Sequence, residues 1–120
     1  MEEKEIFSLL AVGLIDDIPQ GLQFKEAILN IMRLEGVVEF QSYVIDTKGE
    51  KFNLEVSMGY KYAKAVLELY TITQTQFPIH KNWNRAKYTL YPNAKMEIEY
   101  FWDDALQNEV DKYNNESPQS

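Results

Sequence analysis

The apolar positions change period three times along this chain, and each change marks a different element. Ile6, Leu9, Leu10, Gly13 and Leu14 recur at helical spacing, which predicts an amphipathic helix over residues 2–16. Glu2, Glu3 and Glu5 suit its N-terminus, and Asp16-Asp17 with Pro19-Gln20-Gly21 end it. The next run, Phe24 to Leu34, reads two ways. Phe24, Ala27, Ile28, Ile31 and Met32 fit a helix, while near-continuous apolar content up to Glu35-Gly36 fits a buried strand. Periodicity alone leans to the helix.

From Val37 the period is two. Val38, Phe40, Ser42 and Val44 alternate with Glu39, Gln41 and Tyr43, Asp46-Thr47-Lys48-Gly49 turns the chain, and Phe52, Leu54 and Val56 return it. Ser57 stands where a helix cap is wanted. A second helix is predicted from Tyr60 to Gln76, with Ala63, Val66, Leu67 and Tyr70 on its inner face, and Pro78 stops it. After a loop from Ile79 to Asn84, two alternating runs flank Pro92-Asn93-Ala94 in the stretch RAKYTLYPNAKMEIEYFWDD, Arg85 to Asp104. Met96, Ile98, Tyr100 and Trp102 share one face of the second run, Glu97 and Glu99 the other, and Asp103-Asp104 close it. Past Leu106 the apolar pattern thins, and residues 114–120 read as a polar tail.

At 120 residues with a 45% hydrophobic fraction, residues 1–113 form one domain long enough for a real core. No apolar run reaches membrane-spanning length, and the acidic start MEEKEIF has neither part of a signal peptide, so cytoplasm is the expected compartment. The absence of cysteine excludes disulfides and thiolate metal sites.

Charge placement adds direction. Residues 1–59 hold 11 acids and 5 bases; residues 60–95 hold Glu68 against six bases; residues 96–120 hold seven acids against Lys112. The total is −7. Two acidic segments of three disfavour nucleic acid as a partner and favour a protein with a basic surface. The basic middle is interleaved with Tyr60, Tyr62, Trp83, Tyr88 and Tyr91, a mixture that suits base stacking but equally a solvated helix face beside core aromatics.

Catalytic constellations are missing. His80 is the sole histidine, which excludes a multi-histidine metal site, and no nucleophile or partner base stands out beside it. The five glycines are isolated, so no phosphate loop exists. Asp16-Asp17 and Asp103-Asp104 are adjacent pairs, a poor geometry for cooperating carboxylates. No catalytic, cofactor-binding or metal-binding residue is assigned, and no enzyme is expected. The candidate partner-binding residues are Glu97, Glu99, Asp103 and Asp104, with Tyr100 or Trp102 as an anchor. Arg85 and Lys87 oppose this acidic end across the turn, so some of these charges pair within the hairpin.

A resemblance is carried by Tyr60 through Leu106: a helix after a β-hairpin, Trp83 opening a strand of the form A-K-Y-T-L, a turn with Asn93 and Lys95, then I-E-Y-F-W-D-D at Ile98 to Asp104. This half resembles the YezG-like immunity proteins, antitoxins of bacterial polymorphic and contact-dependent toxin systems; the first half is similar in layout. The resemblance implies that Phe24 to Leu34 is a strand. It implies an α+β domain in the order α-β-β-β-α-β-β with a terminal helical turn, an antiparallel sheet and helices packed on one face. It further implies a monomer or weak homodimer that binds the C-terminal domain of a cognate toxin, often a nuclease, in the cytoplasm of the producing cell. The carboxylates would then occupy a basic cleft in place of phosphate. The same element order also resembles type III secretion chaperones, which dimerise and hold unfolded effector segments on apolar patches.

Overall fold

The two-way run is a strand, and it lies at the centre of the sheet. The computed structural model describes residues 1–76 and 82–116. The elements are α1 (Glu3–Asp17), β1 (Phe24–Leu34), β2 (Val37–Asp46), β3 (Lys51–Leu54), α2 (Tyr60–Gln76), β4 (Arg85–Leu90), β5 (Met96–Phe101) and α3 (Asp104–Glu116). The strands form one antiparallel sheet in the order β3-β2-β1-β4-β5. The fold is α+β, in the element order the resemblance implies. The terminal helical turn is longer than expected, because α3 continues to Glu116 and takes in the start of the polar tail. Pro78 and His80 lie outside the described residues, as do 117–120.

The central position explains the apolar run. In an antiparallel sheet alternate side chains serve opposite faces. Ala27, Leu29 and Ile31 point into the core beneath α1 and α2, while Ile28, equally buried, lies on the other face between Tyr43 and Thr89 of the neighbouring strands. With Ile28 buried between Ala27 and Leu29, three successive residues are apolar and a helical period arises by coincidence. The turn to β2 is two residues long, Glu35 and Gly36, both at positive φ (33° and 84°) as a tight hairpin demands.

α1 contributes Ile6, Leu10 and Leu14 to the core, as the spacing predicts. At Gly13 it meets α2 so closely that a Cβ would stand 2.7 Å from Tyr62 Cε1 and 2.8 Å from Met58 Cε. The inner face of α2 is Ala65, Val66, Leu69 and Thr73, a rotation from the predicted Ala63, Val66, Leu67 and Tyr70. Thr73 accounts for it. Its hydroxyl must lie inward to accept the Trp83 indole N–H at 2.7 Å, and it donates in turn to the Tyr70 carbonyl at 2.8 Å. Ser57 caps nothing: its N–H and hydroxyl both donate to Asp17, tying the end of α1 to the segment before α2. β3 is correspondingly short, ending at Leu54 and not at Val56.

Trp83, fully buried, joins these layers. Its ring centroid is 5.4 Å from Tyr70 of α2 and 5.0 Å from Tyr100 of β5, and Arg33 of β1 donates to its carbonyl from Nε (3.1 Å) and Nη2 (3.0 Å). The Arg33 guanidinium lies 3.7 Å from the Tyr70 ring centroid, so a cation inside the helix face is held by a carbonyl and an aromatic face together. Tyr88 is equally buried, and its hydroxyl donates to the Phe7 carbonyl at 2.9 Å. Trp83 and Tyr88, two of the aromatics interleaved with the basic residues of 60–95, are thus core side chains.

Burial pushes the phenols of Tyr88 and Tyr100 well above their ordinary value of 10.0. A raised folded value favours the neutral form in the fold. This contribution to stability is complete below that ordinary value and is lost as pH rises through the folded one. In an alkaline titration followed by phenolate absorbance, these two phenols are expected to stay silent until the protein unfolds. Tyr88→Phe is expected to remove one of the silent groups.

Candidate functional site

The hairpin of β4 and β5 separates the candidate residues by face. Met96, Ile98 and Tyr100 turn toward the helices and are half-buried; Glu97, Glu99 and Phe101 turn to the opposite, open face and are exposed. Tyr100 therefore leaves the candidate surface. Its ring packs on Trp83 in the core and cannot serve as an external anchor.

Glu97 and Glu99 stand where alternation puts them. Glu99 is paired in register with Lys87, and Glu97 with Thr89. Glu97 also accepts a hydrogen bond from the Tyr91 hydroxyl at 3.1 Å, and this bond, followed by smaller contributions, pushes the Tyr91 phenol up. Trp102 is 47% exposed, and its indole N–H donates to the Asp104 carboxylate. Phe101, 44% exposed, stands on the same face as Glu99. Phe101 is absent from the candidates read from the sequence, although its place two residues after Glu99 on a strand is signal enough.

Asp103 has a structural task. One oxygen accepts the Leu106 N–H at 3.1 Å and caps α3, while the other meets Arg85 Nε at 2.6 Å. The backbone bond from Leu106 and then the Arg85 guanidinium hold its carboxyl below the ordinary 3.8. The backbone N–H of Asp103 donates to Asn84 Oδ1 at 2.7 Å, and Asn84 Nδ2 donates to the Asp103 carbonyl at 2.8 Å. The internal pairing expected between the basic start and acidic end of the hairpin is present as Arg85–Asp103. Asp103 is thus a poor contact for a partner.

The remaining patch is Glu97, Glu99, Phe101, Trp102 and Asp104, on the free outer strand and the first turn of α3. Beside it on the open face is a hollow of about 220 Å³ that includes Asn30, Gln41, Arg85 and Lys87. A second depression, about 470 Å³, lies against the N-terminal half of α3, where Leu106 and Val110 stand beside Leu34 and Val37 of the β1–β2 tip, with Glu39 and Glu109 on its rim. α1 and α2 cover one face of the sheet, as the resemblance implies. α3 crosses the end of the other.

Among the described residues no group of three or more metal-ligating side chains is gathered, and no helix is long and apolar enough to cross a membrane. The chain matches no model of a known protein family and no curated protein. The resemblance therefore rests on the residues of the C-terminal half alone. Chemically, the patch offers exposed aromatic rings between carboxylates, the composition of a protein-binding surface with anchors and steering charges.

Proposed function

We propose that this chain is an immunity protein of the YezG-like kind, which binds the toxic domain of a cognate toxin, a nuclease, and blocks it in the cytoplasm of the producing cell. The observation that carries the reading is the exposed pair Phe101 and Trp102 bracketed by Glu97, Glu99 and Asp104 at the sheet's free edge. The aromatic rings supply desolvated contact area, and the carboxylates suit a cleft built for phosphate. The overall charge of −7 accelerates encounter with such a cleft.

The test is binding to the toxin domain encoded beside this chain. Trp102→Ala is expected to weaken the complex about 10- to 100-fold, and the double replacement Glu97→Lys with Glu99→Lys at least as much, with slower association. Both variants are expected to keep the wild-type melting temperature, since none of the three side chains is buried. Affinity unchanged in both would sink the assignment of this patch. A second reading, an effector-binding protein similar to type III secretion chaperones, is favoured by the apolar depression between α3 and the β1–β2 tip. Light scattering separates the two, because those chaperones are dimers.

A further inference from the structure

The opposite edge of the sheet carries an independent feature. β3 pairs with β2 only from Ser42 to Ile45. In an antiparallel ladder each residue turns its N–H and C=O to the same neighbour, and successive residues alternate. The Asp46 N–H donates to the Glu50 carbonyl on the β3 side, so Val44, Ser42, Phe40 and Val38 turn their backbone groups to that side too. β3 accompanies this edge as far as Leu54 opposite Ser42; the chain then leaves toward Asp17, which holds Ser57. Among the described residues no strand pairs with β2 beside Val38 and Phe40, and Val56 shares only a hollow with Phe40 and Gln41.

Protected edges carry a lysine, a proline, a bulge or a covering element. The run Val37-Val38-Glu39-Phe40-Gln41 has no lysine or proline, and the one irregularity of the β1–β2 register lies at its far end, between Phe24 and Glu26. The helix face of this edge is apolar, and the other face mixes Val37 with Glu39 and Gln41. On the helix face are half-buried Val38 and Phe40; on the other, Val37 is 55% exposed at the mouth of the depression floored by Leu34, Leu106 and Val110. The rim of that depression is acidic, through Glu39 and Glu109.

We propose that the outer edge of β2, residues 37–41, receives an extended segment of a partner protein as an added strand whose sequence alternates apolar with basic residues. Backbone hydrogen bonds to Val38 and Phe40 supply the pairing, and the side chains select by face. Apolar side chains lie over Val38 and Phe40. Lysines or arginines on the other face lay their methylene stems on Leu106 and Val110 and bring their charges to Glu39 and Glu109. The inference rests on neither reading of the partner's identity, and the edge stands across β1 and β4 from the Phe101–Trp102 patch.

The experiment titrates the isotopically labelled full chain with a blocked synthetic peptide, Val-Lys-Val-Lys-Val-Lys, following backbone amide resonances. Shifts are expected at residues 37–41 and 106–110, with slowed hydrogen exchange at Val38 and Phe40. Two further peptides carry N-methyl groups on alternate residues, in the two possible registers. One is expected to bind and the other to fail, because an added strand points only alternate N–H groups at its neighbour. A peptide with glutamate in place of lysine is expected to be silent, and Glu39→Lys to weaken the lysine peptide about tenfold. Absence of shifts at 37–41, or equal binding of the two methylated peptides, would overturn the proposal. So would the same shifts arising from protein concentration alone, which would give the edge to a second copy of the chain.

Discussion

Replacing Trp83 with alanine is expected to destabilise the fold by about 3–5 kcal/mol, a large share of the ~5–15 kcal/mol that holds a domain of this size. Trp83 is 1% exposed and touches three elements at once. Removing it opens a cavity between Tyr70 and Tyr100, strips the indole donor from the Thr73 hydroxyl and loosens the platform under Arg33. Trp83→Phe separates the contributions. It keeps most of the ring burial but loses the indole N–H, and about 1–2 kcal/mol is expected to go. Denaturant unfolding measures both, with a lowered midpoint at unchanged slope. A loss under ~1 kcal/mol for Trp83→Ala would mean that the three elements hold together without this ring.

Asn84→Ala is expected to cost about 2–3 kcal/mol, and the damage should be local before it is global. Asn84 is 1% exposed and accounts for both backbone groups of Asp103, while its own N–H donates to Phe101 O at 3.0 Å and its carbonyl accepts the Arg33 N–H at 2.9 Å. Without the amide, the Asp103 N–H loses its acceptor, the Asp103 carbonyl keeps only the Gln107 N–H at 3.2 Å, and the capped start of α3 loses its footing. Hydrogen exchange should accelerate over Leu106 to Val110 more than over β1. Uniform acceleration would show that α3 has no stability of its own to lose. Acid probes the same joint. The depressed carboxyl of Asp103 contributes stability above its ordinary 3.8 that disappears as pH falls through its lower folded value, and Asp103→Asn should flatten that part of the curve.

The elements that face water on one side were legible from residue type alone. α1, β2 and the β4–β5 hairpin each keep the period of their secondary structure because only one face is apolar. β1 does not, since Ile28 on one face is as buried as Leu29 on the other; composition could not tell it from a helix, and only the layout of a similar family pointed to a strand. The rotation of α2 was invisible for another reason. Thr73 looks like a surface residue until Trp83, ten positions later, supplies its donor. The site divides in the same way. Glu97 and Glu99 follow from alternation, whereas Asp103 and Tyr100 were misplaced because their tasks depend on Asn84, Arg85 and Trp83 across the sheet. The residues that carry the resemblance, Trp83 and Asp103 among them, are mostly the ones that hold the hairpin to the helices. That makes them better markers of architecture than of contact.

The strand order has a consequence for how the chain assembles. β1 meets β2 across a two-residue turn, but its other neighbour, β4, begins only at Arg85, after β3 and the whole of α2. Both hairpins can form from nearby residues; joining them along β1 requires closing a loop of some fifty residues, the slow step in chains rich in distant pairings. During synthesis, then, the first half emerges with its most apolar strand bare on one side. It stays so until Arg85 to Leu90 arrive to cover it, an interval in which that strand is the molecule's most adhesive part.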